Sequence, residues 1–317
     1  MLGRRALLQD WCVAGGAIPA FAIRGGGPPG SPEGRSGAAG EPLPSGREPP
    51  LLLRERRMID VAQRAFFGRN GYLHLEDWLE PELRRTFATW TAEIEAWPDT
   101  PGRWMRYYEK SVGAADRMPA RIENFLPYHG GIDGFFSGRR LNQLFESILG
   151  EPVVVFKDKI NLKGPGGAGF TAHQDGPAYV GFGVDFFVTA MVPVDPFTAE
   201  NGCLEMARDA AINNDLPQNP DGTIRDDVAA TFDWVPVLAR PGDLIVFDSR
   251  VPHRSGPNRS SGRRRSFYVT YNRLSDGDLR AAYYQRKREL FPPECERQPG
   301  VDYARLGAQF NLANPFE

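Results

Sequence analysis

From Glu151 onward the chain strings together short β-branched and aromatic runs, VVVFKDKINL, DFFVTAMVPV, WVPVLA, DLIVFDS and RSFYVTYN, separated by Gly, Pro and Asn clusters. Runs this short, with turn residues between them and little 3.6-residue periodicity, read as the strands of an antiparallel sandwich or jelly roll. Upstream the character is helical. The stretch IDVAQRAFFGRN closes at Asn70-Gly71 and leads into a short strand from Tyr72 to Leu75. Pro81 suits a helix start, and Leu83, Phe87, Trp90 and Ile94 follow it as one apolar stripe. A third helix, RRLNQLFESILG, carries Leu141, Leu144, Phe145, Ile148 and Leu149 on one face and stops at Gly150. N-terminal helices packed on such a double sheet give one α+β domain over residues 58–317.

Residues 1–57 are of another kind. Segments such as GGGPPGSPEGRSGAAGEPLPSG hold too little apolar surface to offset the entropy of ordering, which predicts a disordered extension. Arg4, Arg5 and Arg24, with few acids nearby, also fit an organellar transit peptide; the alternative is a non-functional leader with Met58 as the natural start. The run from Trp11 to Ile23 is broken by Gly15, Gly16 and Pro19 and falls short of the roughly 20 residues a membrane-spanning helix needs. A formal charge of −2 gives no general attraction to nucleic acid or to an anionic membrane. Cys12, Cys203 and Cys295 lack CxxC spacing, so they are expected to be buried thiols in a reducing, cytoplasmic protein rather than a disulfide framework or zinc ribbon. The partner these features leave is a small molecule.

Four histidines occur in the sequence, and two have neighbours suited to metal binding: His173 in FTAHQDGPAY and His253 in DSRVPHRSGPN. His173 and Asp175 are two apart, so on a strand both side chains leave one face while Gln174 points away. His253 follows the strand DLIVFDS, where a jelly roll would return across the barrel mouth. Two imidazoles and a carboxylate with open positions are the ligand set of non-haem Fe(II) oxygenases. Arg264 heads a strand on which Ser266, Tyr268, Thr270 and Asn272 share its face. A guanidinium and a hydroxyl there suit the distal carboxylate of a keto diacid. Arg263 and Arg265 read as a solvated face, and His74 and His129 as structural or surface residues.

HQD, ENGCLEM (Glu200 to Met206), the PGD turn at Pro241 to Asp243, and HRSGPN with Arg264 after it together resemble the phytanoyl-CoA dioxygenase family of Fe(II)- and 2-oxoglutarate-dependent oxygenases, from about Met58 to the end. The resemblance implies a double-stranded β-helix, iron on His173, Asp175 and His253, and 2-oxoglutarate anchored by Arg264 with help from Ser255 and Arg121. It also implies that Lys159 lines the cosubstrate pocket, the alternative being an exposed strand lysine. Val188 stands where an aromatic residue often covers the cosubstrate. Oxygen is the second cosubstrate, and succinate and carbon dioxide are released. Because Asp175 keeps its carboxylate, where related halogenases carry a small residue, hydroxylation is expected.

RIENF, FKDKINLKGPGGAGFTAHQD, RRRSFYVTYNR, GDLRAAYY and the closing NPF are similar to a subgroup acting on small aminophosphonates such as 2-aminoethylphosphonate or its trimethyl form. On that reading Asn272 and Arg273 could hold the phosphonate, and Glu123, Tyr179 or Tyr107 the amine end. The alternatives are a polar strand terminus for Asn272 and Arg273, a Glu123 paired with a basic residue, and core packing for both tyrosines. Three other functions stand beside it: hydroxylation of an acyl-CoA, a non-catalytic jelly-roll binding protein, and a zinc hydrolase. A hydrolase would have no use for Arg264 and Ser266 at this spacing.

Overall fold

Local capping chemistry sets the first helix. The Asp60 side chain accepts from the Gln63 backbone at 2.8 Å while the Gln63 side chain accepts from the Asp60 N–H at 2.9 Å, a reciprocal capping box. That helix, α1 (Val61–Asn70), ends at Gly71, whose φ of 68° favours a residue without a Cβ. Pro81 opens α2 (Pro81–Ala96), which buries Phe87, Thr91 and Ile94. Two further helices, α3 (Gly130–Phe136) and α4 (Arg139–Leu149), complete the N-terminal layer. The computed structural model describes residues 59–110, 117–210, 214–311 and 313. The expected N-terminal extension, with Cys12, lies outside them.

Among the described residues eleven strands form two antiparallel sheets. They are β1 (Tyr72–Leu75), β2 (Met105–Lys110), β3 (Arg117–Glu123), β4 (Val153–Lys163), β5 (Phe170–His173), β6 (Val188–Pro193), β7 (Leu204–Ala207), β8 (Trp234–Val237), β9 (Leu244–Asp248), β10 (His253–Ser255) and β11 (Arg264–Arg273). The larger sheet runs β1-β9-β6-β11-β4-β3-β2 and the smaller β5-β10-β7-β8. This is the expected jelly roll, with the helices on the outer face of the larger sheet. Phe87, Ile94, Leu141 and Phe145 from the helices share one core with Ile160, Leu162, Phe267 and Val269 from the sheet. Burial of this layer supplies the main driving force for docking the helices.

Three elements depart from the sequence reading. Strands β2 and β3 precede Glu151, where the strand region was expected to begin. Their sequences, MRYYEK and RMPARIE, carry too many charges for an apolar pattern. Pro119 stands at a β-bulge opposite Tyr107 and Tyr108, beyond the residues paired with β4, where its missing N–H is tolerated. After a short α5 (Asp226–Ala229), the C-terminal α6 (Arg280–Leu290) buries Tyr283, Tyr284 and Lys287, a face that no apolar stripe announces. Cys203 is buried as expected, but Cys295 is exposed. Arg263 and Arg265 are not a free solvated face: Arg265 binds both Asp195 oxygens at 2.8 and 2.9 Å, and both arginines meet Glu95. Among the described residues no helix is long and apolar enough to cross a membrane.

The phase of β4 decides which of its side chains enter the barrel. The strand pairs with β11 from Arg264 opposite Lys163 to Thr270 opposite Lys157, then slips so that Tyr271 meets Val155. Phe156 is the extra residue, and it changes which side chains face the helices. Before it Val153 and Val155 join the helix-side core; after it Ile160 and Leu162 do, and Lys157, Lys159, Asn161 and Lys163 turn inward.

Candidate active site

Two neighbouring strands of the smaller sheet bring the imidazoles together. His173 ends β5, His253 begins β10, the two are register partners, and their ring centroids are 4.2 Å apart. Each ring is oriented through Nδ1, which lies 2.7 Å from the Thr171 carbonyl in one and 2.9 Å from the Val251 carbonyl in the other. With Nδ1–H donating to those carbonyls, both Nε2 lone pairs are left for a metal. Asp175 arrives differently from the expectation. The strand stops at His173, and Asp175 is in the helical region (φ −73°, ψ −31°) at the head of a 3-10 turn, Gly176–Tyr179. The turn, rather than a two-residue pleat, aims its carboxylate, whose Oδ1 is 3.9 Å from His173 Nε2. One ligand atom from each of the three residues lies within 4.8 Å of the others, and all three are buried. Gln174 does point away, donating to the Arg250 carbonyl at 2.6 Å and accepting from Leu216 N–H at 2.8 Å.

The electrostatics suit a cation. Burial pushes the His173 imidazole down to about 3 and lowers His253 as well, so both are neutral ligands near pH 7. Burial alone would raise Asp175, but the Lys159 and Lys157 charges reverse it and hold the carboxylate ionised. The chemistry of this donor set fits Fe(II).

Facing the triad from the larger sheet is a cationic cradle. Arg264 is 1 % exposed, with its guanidinium 4.5 Å from the Phe197 ring and one Nη donating to the Gly202 carbonyl. Gly202 has φ 67°, and a Cβ there would lie 2.1 Å from the Gly256 carbonyl oxygen, so the ENGC turn needs glycine for this approach. Among the described residues, Arg264 Nε, the Ser266 hydroxyl and the Asn161 amide oxygen are buried without hydrogen-bond partners. Buried polar atoms left open in this way mark a missing ligand. Beside them Lys163 donates to Ser255 Oγ at 2.9 Å and to the Gly256 carbonyl at 2.7 Å. Burial, then the neighbouring Arg264 charge, pushes this lysine down to about 6. The buried Arg264 charge, with a lysine beside it that an arriving anion would help to protonate, favours an anion at this end, and the donors fit a carboxylate of 2-oxoglutarate.

The other expected residues divide. Lys159 faces inward, 5.0 Å from the Tyr268 ring, and is not an exposed strand lysine. Arg121, beside Asn161 in register, meets Glu123 at 3.3 Å. Glu123 is already occupied and cannot serve as an amine acceptor, because Lys287 binds both its oxygens at 2.7 and 2.6 Å. Tyr179 and Tyr107 do not form an open cation cage. Lys157 already covers the Tyr179 ring at 4.4 Å, while Tyr107 stacks on Phe291 and donates to its carbonyl. Asn272 is buried, but its amide donates to the Arg273 and Gly277 carbonyls and closes the strand-end turn. Arg273 pairs with Glu151 at 3.0 Å at the surface. The polar-terminus alternative therefore describes both. Val188 belongs to the helix-side core, so it cannot cover a ligand in the barrel. His74 and His129 are structural, pairing with Asp243 and Glu93 at 3.0 Å each. The sequence reading missed Lys157 and Lys163. Their signal was the alternation Lys157, Lys159, Asn161, Lys163 in a strand otherwise rich in Val, Ile and Phe.

Comparison with known proteins agrees with this geometry. Residues 67–266 match the family model described as phytanoyl-CoA dioxygenase (PhyH). The chain is 45% identical over 255 residues to a 2-aminoethylphosphonate dioxygenase of the uncultured bacterium HF130_AEPn_1, covering 80% of this chain and 97% of that one. It is 37% identical over 228 residues to a methylphosphonate hydroxylase of Gimesia maris, covering 71% and 85% respectively. Among solved structures, EctD from S. alaskensis with 2-oxoglutarate and 5-hydroxyectoine superposes with a TM-score of 0.58 at 18% identity, over 71% of this chain and 79% of that one, a likeness of fold. The triad, the cradle behind it and the extent of these matches lead to one conclusion: the chain belongs to the phytanoyl-CoA dioxygenase family.

Proposed function

We propose that this protein is an Fe(II)- and 2-oxoglutarate-dependent dioxygenase that hydroxylates a C–H bond of a small aminophosphonate, 2-aminoethylphosphonate or its N-trimethyl form. The observation that carries the reading is the three-ligand cluster of His173, Asp175 and His253 opposite the open donors of Arg264 and Ser266. Iron and 2-oxoglutarate, when bound, would supply oxygen activation with loss of carbon dioxide and formation of succinate. His173 and His253 would ligate through Nε2, each held in that tautomer by a backbone carbonyl, and Asp175 through its carboxylate. Arg264 and Ser266 would bind the distal carboxylate, with Lys163 and Ser255 closing the same end of the barrel. The phosphonate class is supported by the 45% identity to a 2-aminoethylphosphonate dioxygenase over nearly its whole length. Free thiols at Cys203 and Cys295 suit a reducing, cytoplasmic setting.

The test is succinate release by the full chain with ferrous iron, 2-oxoglutarate and oxygen, screened against aminophosphonates, quaternary amines, amino acids and acyl-CoA thioesters. The expected outcome is stimulation by an aminophosphonate with a hydroxylated product. Stimulation by thioesters alone would replace the substrate, and failure of every compound to raise succinate, despite bound iron, would favour a binding protein.

A further inference from the structure

Inside the barrel one pair of charges is unaccounted for. Lys157 and Lys159 are two apart on β4 beyond its bulge, opposite Thr270 and Tyr268 of β11, so both side chains enter the interior. Lys157 is only 7 % exposed. Its Nζ is 4.4 Å from the centroid of Tyr179, the last residue of the turn that Asp175 heads. Among the described residues neither ammonium has a carboxylate partner at ion-pair distance, whereas Lys287 nearby is held by both oxygens of Glu123. The one anion whose charge bears most on the two lysines is Asp175, whose oxygens are spoken for once a metal is bound. Buried cations without a counter-charge are costly, and a site that keeps two of them side by side is built for an anion that arrives from outside.

That anion is not the cosubstrate carboxylate held by Arg264. Lys163 stands opposite Arg264, and Lys159 is four residues farther along the strand, its backbone about 13 Å away at ~3.3 Å per residue. Two separated cationic stations on one strand pair call for two anionic groups, and the station at Lys159 is read as the substrate's in place of the cosubstrate role that the resemblance implied for Lys159. We propose that Lys157 and Lys159 form the subsite that grips the anionic head of the substrate, a phosphonate, with its amine end directed away from the lysine-covered face of Tyr179. This rests on the aminophosphonate reading above and adds which end of the molecule enters first and what holds it. Burial keeps both ammoniums below the usual lysine range, and an arriving dianion relieves that penalty.

The experiment is anaerobic calorimetry on the full chain loaded with Fe(II) and 2-oxoglutarate, titrated with methylphosphonate and with 2-aminoethylphosphonate. Wild type is compared with Lys157→Met, Lys159→Met and Lys157→Arg. Each Met variant is expected to weaken both phosphonates by roughly 10- to 100-fold, the worth of a charge-assisted hydrogen bond, and by a similar factor for each because the loss is at the shared head. Lys157→Arg keeps the charge and is expected to retain most of the affinity, which separates lost recognition from lost folding. Met variants that bind both compounds within about twofold of wild type overturn the proposal. If wild type binds neither phosphonate but does bind β-alanine or taurine, the phosphonate reading fails. The lysine subsite is then judged by the same variants on those probes, where unchanged affinity overturns it. Binding of no anion overturns both.

Discussion

The two walls of the barrel hold their functional groups in opposite ways. On the smaller sheet each metal ligand is short and fixed close to its own backbone: His173 and His253 through carbonyls two residues earlier, Asp175 through the turn it heads. On the larger sheet the groups are long cations anchored at the strand and, in Lys157 and Lys159, without an ion partner at the tip among the described residues. The difference follows from what each wall must bind. A metal demands ligand atoms placed within tenths of an ångström, while an anion accepts any of several donor directions from an ammonium. Rigid geometry is therefore concentrated on short strands, and charge is spread along two long ones.

Breaking the rigid wall should have the largest effect. Asp175→Ala removes one of three protein ligands and should lower coupled turnover by more than about 100-fold, read as succinate per iron, since even supporting residues at metal sites are worth 10–100-fold. Next comes the charge balance of the other wall. Glu123→Ala leaves Lys287 and Arg121 buried without their shared carboxylate and should cost about 3–5 kcal/mol in a denaturant titration. The pH dependence has a definite sign. Burial would raise Glu123, but Lys287 and Arg121 bring it down to about 2, from an ordinary value near 4.5. Its contribution is thus complete above about pH 4.5 and lost as pH falls toward 2, and Glu123→Ala should flatten that acid limb of the stability curve.

Smaller still, Arg264→Ala should raise the KM for 2-oxoglutarate by roughly 10- to 100-fold, with Lys at the same position recovering only part because it lacks the planar fork. A KM change without any dependence on the diacid's distal carboxylate, tested with pyruvate as a shortened competitor, would show that Arg264 acts only through its packing on Phe197 and Gly202. The least effect is expected from Gln174→Ala. It unpins the loops at Arg250 and Leu216 and should cost about 1–2 kcal/mol of stability while leaving metal stoichiometry intact. Equal damage to metal content would mean that the ligands lean on their surroundings more than the contrast between the walls allows.

The rigid wall was the more legible in sequence. HxD and a downstream His are short-range signals, and the three residues do converge, although a turn rather than strand parity delivers Asp175. Arg264 and Ser266 were readable because β11 is regular from Arg264 to Thr270, so every second residue keeps one face. What failed was information held between distant segments. Glu123 cannot be seen as occupied until Lys287, 164 residues later, folds onto it. The amide of Asn272 shares a strand face with Arg264, yet a turn five residues ahead claims it. Strands β2 and β3 hide behind charge, because their buried residues include Glu109, Arg121 and Glu123 beside Met105 and Tyr107, so alternation of apolar residues never develops.

The extra residue in β4 carries a consequence for how this stretch can change. Any side chain of similar bulk at Phe156 leaves the alternation of odd and even positions untouched. Removing Phe156 itself would restore plain alternation and keep Val153 and Val155 on the face of Ile160 and Leu162, whereas removing one residue between Phe156 and Ile160 would swing Ile160 and Leu162 to the opposite face from Val153 and Val155. Beyond the bulge the strand is thereby tolerant of spelling but intolerant of length: an odd indel there would cost both the fold and the ligand cavity, whereas loss of the bulge residue alone would spare the facing of its neighbours.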